Sequence, residues 1–419
     1  MDVDPLQEVS HFATVFNGIV DRTRTPAETR QDQKLDEILE ELGRLARNYH
    51  PRQFVVAPSR EALDPRKLDE IREETSRLAK SYQPRQFVVA PSGEALDLRD
   101  WLEQRNPDLH RAVDNVRAAV EPILERPLHR HYTDHSLKHS ERIIEKLSGL
   151  TEGLMNFSHP LSPTEVYILL AATYLHDIGM QDERSGDADL GEIRDRHHEL
   201  TRKIVLRSVE QPLSDETIPL DIARIPGIAY VVALVAESHR KVNLYQDKYD
   251  DFILGSETIR PRLLAALLRF ADELDIDWER TYPIDMLHLM DVSVESKLHW
   301  YKCYYVSGVE IKNEYVTVHY QLPEGSENYR DLIIPLVHGK VQAEYAGLHK
   351  IFREFGVKVM VNEDPKVRYD VAGLDRMPPE VERIASEECR RWYDEEISRL
   401  IKGRASIPPF PPPPPAPLC

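Results

Sequence analysis

The sequence predicts a mainly α protein with a central helical bundle, a small α+β C-terminal extension and an N-terminal helical repeat region. Three observations carry this. Apolar residues recur at helical spacing between about 100 and 290. Beyond about 291 the pattern changes to segments rich in Tyr, Val and Thr. Residues 34–66 return almost unchanged at 67–99, with 25 of 33 positions identical. The expected organisation is therefore a repeat region (1–99), a helical domain (100–290), an extension (291–375), a charged helix (376–405) and a tail (406–419).

Each repeat opens with a helical pattern, Leu35, Ile38, Leu42 and Leu45 in the first copy, and runs into a β-prone "QFVVA" fenced by prolines. Its length matches an ankyrin repeat, but the T-P-L-H signature is absent and two copies are too few for a solenoid. The repeats read either as a duplicated peptide for a protein partner, with raised effective concentration, or as a duplicated linker without a selected role. The central domain carries stop signals at "SHPLSP", "SGDADLG" and "RIPG". In the extension, "LHWYKCYYVSGVEI" and "EYVTVHYQL", separated by "KN", predict a strand hairpin. A helix over roughly 329–354 capped by Gly356, and a strand in "VKVMV", follow. A charged helix over about 378–402 leads into "IPPFPPPPPAPLC", which predicts an extended polyproline II tail. That tail either docks on an aromatic groove or is a passive end.

Composition narrows the function classes. The formal net charge of -18 disfavours an extended nucleic-acid surface or an anionic membrane as partner, although a local basic pocket remains compatible with it. Three scattered cysteines, Cys303, Cys389 and Cys419, encode neither a disulfide framework nor a thiolate zinc site, so a reducing compartment is expected. The N-terminus lacks a basic region followed by an apolar run, and no window approaches 18 apolar residues. The expectation is a soluble cytoplasmic protein without a membrane partner; homo-oligomerisation is left open.

The chemistry lies where apolar segments are interrupted. "VYILLAATYL" stops on His176 and Asp177, "HSERIIEKL" begins with His139, and "LLAALLRFADEL" is broken by Asp272. Burying four such groups without partners is costly, and a divalent cation removes that cost. Mixed imidazole and carboxylate ligands suit Mn, Fe, Co, Ni, Zn or Mg rather than calcium. One member of the adjacent pair can ligate while the other bridges or orients a water, and a helix ending at Gly179 is expected to supply the change of direction. Arg130, His131, His135 and Lys138 cluster beside His139, and Arg194 lies three residues before His197. They read either as a phosphate-binding set or as a solvated helix face.

The order His139, His176-Asp177, Asp272 resembles the HD superfamily of metal-dependent phosphohydrolases over roughly residues 110–290, with "HSERI", "LLAATYLHDIGM" and "LLRFADELDI" as matching contexts. With "RDRHHELT" behind the HD pair and an α+β extension behind Asp272, the layout looks most like the HD-CE subgroup, known mainly beside bacterial stress and conflict modules. The resemblance implies an HD-type helical bundle holding one or two divalent ions. It also makes the Arg194-x-x-His197-x-x-x-Thr201 spacing similar to a second-metal or phosphate-binding helix, with His198 as the less favoured neighbour, and His239 similar to a second-site histidine. Two departures matter: Met180 stands where cyclic-dinucleotide phosphodiesterases carry lysine, and their G-Y-P segment is missing. Nor does "HDIGMQDE" carry the acids of nuclear and stringent-response types in the right register.

The resemblance thus implies a phosphohydrolase acting on a nucleotide or related phosphate ester through metal-activated water. His139, His176, Asp177, Asp272, His197 and His239 are the expected metal ligands. Asp177, His197 and Arg194 are expected in catalysis, and Arg130, His135, Lys138 and Arg194 in substrate binding. A di-iron oxygenase, and a nucleotide-binding sensor or adaptor, are the alternatives.

Overall fold

Asp97 caps the first helix of the described residues. Its side chain accepts from the N–H groups of Arg99 and Asp100 and caps helix α1 (Leu98–Arg105), which buries Leu98 and Leu102. The computed structural model describes residues 97–124, 133–156, 159–181, 190–210, 227–240, 242–281, 292–371 and 374–405. The repeats apart from the last three residues of the second copy, Arg130 and His131, and the proline-rich tail lie outside the described residues. All the described residues belong to one compact unit.

The bundle forms around one helix. α4 (Pro163–Leu175) is apolar on all sides, and every residue from Thr164 to Leu175 is buried, as expected of a helix at the centre of a core. A capping box between Ser162 and Glu165 starts it, and Arg260 clasps the same buried Glu165. Around it stand α2 (Pro107–Leu124), which buries Leu109, Val113, Val116, Val120 and Leu124, and α3 (Leu137–Met155), capped by Ser136. α5 (Leu190–Glu210), α6 (Ile228–Glu237) and α7 (Pro261–Glu273) complete the bundle, with a short hairpin of β1 (Phe252–Leu254) and β2 (Glu257–Ile259) before α7. Among the described residues no helix is long and apolar enough to cross a membrane.

The extension begins with a difference from expectation. "LHWYKCY" is not strand but part of α8 (Val294–Tyr304), started by the Ser293 cap. Leu298, Tyr301 and Tyr304 recur every three residues and are all buried, a helical period hidden under β-prone residue types. Strand begins only at β3 (Val306–Lys312), antiparallel to β4 (Tyr315–Pro323) with Val309 opposite Val318. Asn313 and Glu314 turn the hairpin at φ 51° and 67°, the left-handed backbone of a tight two-residue turn. α9 (Asn328–Phe355) ends on Gly356 at φ 76°, as its glycine predicts. β5 (Met360–Val361) and β6 (Lys366–Val371) then pair parallel to successive parts of β4, and α10 (Pro379–Ala405) follows. "VKVMV" therefore holds only a two-residue strand. The fold is mainly α, with its sheet confined to the extension apart from the β1–β2 hairpin.

Candidate metal centre

Helix ends bring the polar interruptions together. His139 sits in the first turn of α3; α4 stops at Leu175 with His176 as its cap and Asp177 next; His239 follows α6; and Asp272 occupies the last turn of α7. α5 contributes His197 from its interior. Two triads result, His139–His176–Asp272 and Asp177–His197–His239, each with ligand-type atoms within 4.8 Å of one another.

Asp177 links them. Its Oδ2 lies 3.0 Å from His176 Nε2 and 3.5 Å from His139 Nε2, while Oδ1 lies 3.3 Å from His197 Nε2 and 3.6 Å from His239 Nε2. Asp272 Oδ1 is 3.3 Å from His139 Nε2. His139, His176, Asp177, His197 and His239 are buried, whereas the Asp272 side chain is 24% exposed and marks the open side.

The surrounding hydrogen bonds decide which imidazole nitrogen faces inward. Nδ1 of His139 is 2.6 Å from Asp275 Oδ2, Nδ1 of His176 is 2.7 Å from the Thr173 carbonyl, and Nδ1 of His239 is 2.7 Å from the Ala236 carbonyl. All three partners accept, so Nδ1 keeps a proton, and Nε2 is the nitrogen that offers a lone pair to the centre when the ring holds that one proton alone. His197 and His239 bring their Nε2 atoms within 2.7 Å, a separation at which facing lone pairs repel unless a proton or cation lies between them. This donor set fits a divalent ion at each triad.

Gly179 fixes the approach of α5, by a different route from the expected one. α4 ends at Leu175, and Gly179 lies inside a short 3-10 helix, Ile178–Gln181. A Cβ there would stand 2.1 Å from the His197 carbonyl oxygen and 2.6 Å from Thr201 N. The glycine is thus required for space and not for turning the chain. Thr201 completes the joint: its hydroxyl donates to the His176 carbonyl and accepts from Gly179 N–H.

Charge in the centre follows from burial set against carboxylates. Burial works against a proton on His139, but Asp177, Asp272 and Asp275 outweigh it and push the ring up to about 10. Burial and the neighbouring His197 and His176 hold His239 well below the usual histidine range. Asp177 would be driven up by burial, yet His176, His139 and His197 hold it well below the carboxylate range.

The HD-CE family matches residues 129–350, over half of the chain and inclusive of all six ligand-type residues. The chain belongs to the HD-CE family. No curated protein and no solved structure matches it. Within this HD-CE domain the remaining predicted residues divide. His135 lies beside His139, ring centroids 5.5 Å apart, and burial pushes it down to about 3 despite the pull of Asp177. Lys138 is half-buried in the first turn of α3, and Arg194 lies on α5 one turn before His197. Sequence reasoning missed the residues that hold His139. Asp275 receives Arg142 Nε at 2.8 Å as well as His139, Arg142 also reaches Asp134 at 3.1 Å, and Arg280 donates to the Asp275 carbonyl at 2.7 Å. The available signals were Arg142 three residues after His139 and Asp275 three after Asp272.

Proposed function

We propose that the chain is a metal-dependent phosphohydrolase acting on a nucleotide or a related phosphate ester through metal-activated water. The observation that carries this reading is the division of one carboxylate between two triads, Asp177 Oδ2 toward His176 and His139, and Oδ1 toward His197 and His239. Divalent ions bound there would lower the pKa of a water and polarise a phosphoryl oxygen.

The chain's own part is positioning. His139, His176 and Asp272 would hold one ion, His197 and His239 a second, and Asp177 would bridge them and orient the water. The inward Nε2 lone pairs are kept in place by Asp275, Thr173 and Ala236, so little reorganisation is needed. The exposed edge of Asp272 gives a phosphate ester its way in. Arg194, with Arg130, His135 and Lys138, would supply donors to the phosphate oxygens. The ion would be one of Mn, Fe, Co, Ni, Zn or Mg. A cytoplasmic setting and a protein partner for the repeats and proline-rich tail belong to the same reading.

Metal analysis of the purified protein, followed by phosphate release from a panel of nucleotides, tests it. Asp177→Ala should abolish release and lower metal content while the apolar α4 still packs. Near-normal turnover in that variant, or iron with oxygen consumption and no phosphate release, overturns the assignment.

A further inference from the structure

Beside the second triad lies a group of polar side chains that this reaction leaves unused. His198 follows His197 on α5; its ring centroid is 6.5 Å from that of His239, and its buried Nδ1 has no hydrogen-bond partner among the described residues. One turn later comes Arg202. Among the described residues its buried Nε also lacks a hydrogen bond, although that atom forms an ion pair at 3.4 Å with Glu237, the last residue of α6. Lys248 reaches the same Glu237 oxygen at 3.2 Å, and its ammonium lies 5.1 Å from the ring centroid of Tyr249. Tyr249 is wholly buried, and its hydroxyl has no hydrogen-bond partner among the described residues. Burial and the Glu237 carboxylate keep that phenol protonated far above its ordinary range.

Buried polar atoms are nearly always paired, so the unpartnered His198 Nδ1 and Tyr249 hydroxyl, beside an Arg202 Nε that meets Glu237 at 3.4 Å without a hydrogen bond, point to something that satisfies them. Their chemistry says what. A guanidinium N–H, a phenol O–H and an imidazole N–H can all donate. Arg202 and Lys248 share the one Glu237 carboxylate, two cations to one anion, in a chain whose net charge is -18. Donors with a positive surplus suit an oxyanion. Arg202 is five residues beyond His197, about 7.5 Å along the helix axis, a distance that a phosphate neighbouring the cleaved one can span.

We propose that His198, Arg202 and Tyr249 bind a second, uncleaved phosphate of the substrate, which makes the substrate a nucleoside polyphosphate or another ester with two phosphate groups. This rests on the hydrolase reading for the site that holds the first phosphate. It assigns Arg202 and Tyr249 as specificity-determining residues.

Calorimetric binding of α,β-methylene-ADP and of AMP to the full-length, Mn2+-loaded protein tests the proposal. Wild type should bind the two-phosphate ligand more tightly. Tyr249→Phe should weaken that ligand about tenfold, the effect of one hydrogen bond to a charged group, and leave AMP within about twofold. Its metal content should not change, and its thermal midpoint should hold or rise, because the deleted hydroxyl has no partner among the described residues. Arg202→Gln should repeat the selective loss. Unchanged affinities in both variants mean that the cluster holds only water, and a parallel loss of both ligands means that it acts through the metal centre; either overturns the proposal. Absence of phosphate release in wild type would instead count against the hydrolase reading and leave the binding comparison to be decided on its own.

Discussion

His139 meets its surroundings through both ring nitrogens, Nδ1 on Asp275 and Nε2 among Asp177, Asp272 and His176. With the ring pushed up to about 10, it carries a proton at neutral pH that an incoming ion must displace. Below about 10 proton and metal compete, so metal affinity should climb as pH rises toward that value. Calorimetry of metal binding near pH 7 should therefore show heats that depend on the ionisation enthalpy of the buffer; buffer-independent heats would contradict it. Asp275→Asn tests the support of the same ring. Arg142 would lose its main charged partner, and the imidazole its carboxylate acceptor, so metal affinity should fall about 10- to 100-fold. Stability should fall with it by about 1–3 kcal/mol, read as a lower thermal midpoint. An unchanged metal affinity would make Asp275 a purely structural anchor for Arg142.

Individual helices fix how closely the two triads approach. α5 lies against the 3-10 segment after α4 only because residue 179 has no side chain, and Thr201 then joins the His176 carbonyl to the Gly179 amide. Gly179→Ala should drive α5 outward, cost about 1–3 kcal/mol of stability, and lose the ion at Asp177–His197–His239 before the one at His139–His176–Asp272. Metal counting separates the two, and equal loss at both would refute the assignment of this glycine to the second triad. α7 is fastened in turn to the extension, through Glu273 to Lys340 at 2.8 Å and through Arg269 to Glu344, so the helix carrying Asp272 is braced by α9. His139, His176, Asp177 and Asp272 were legible in the sequence because they interrupt or end apolar segments, whereas His197, in the polar "RDRHHELT", and His239 were expected only from the resemblance to the HD superfamily. Asp275 and Arg142 were not legible, because their three-residue spacing from Asp272 and His139 does not by itself tell a residue that orients a ligand across the fold from an ordinary polar neighbour. α8 was misread for a related reason: Trp, Tyr and Cys favour strands by type, and the buried spacing of Leu298, Tyr301 and Tyr304 becomes meaningful only against a packed partner.

At the scale of the whole molecule, the bundle begins inside the repeat region, since Asp97, Leu98 and Arg99 close the second copy and also start α1. Those residues are tied to the centre of the bundle. Arg99 reaches Asp114 at 3.1 Å, Tyr174 at 3.3 Å and Glu141 at 3.4 Å, and Leu98 N–H donates to Ser148 Oγ at 3.2 Å. Tyr174 lies only two residues before His176, so α1 supports the helix that delivers the His-Asp pair. A chain of residues 97–405 should therefore fold, bind metal and keep most of its activity on a small phosphate ester, because the ligand-type residues and their supports all lie within it. A chain that starts at residue 106 should do worse. It loses the buried Leu98 and Leu102 at roughly 1.5–3 kcal/mol each, a large part of the roughly 5–15 kcal/mol that holds a domain together. Thermal unfolding and metal content of the two chains decide the matter. Equal stability would show that α1 is dispensable, whereas a folded, metallated 97–405 chain without activity would mean that the repeats or the proline-rich tail take part in forming the site.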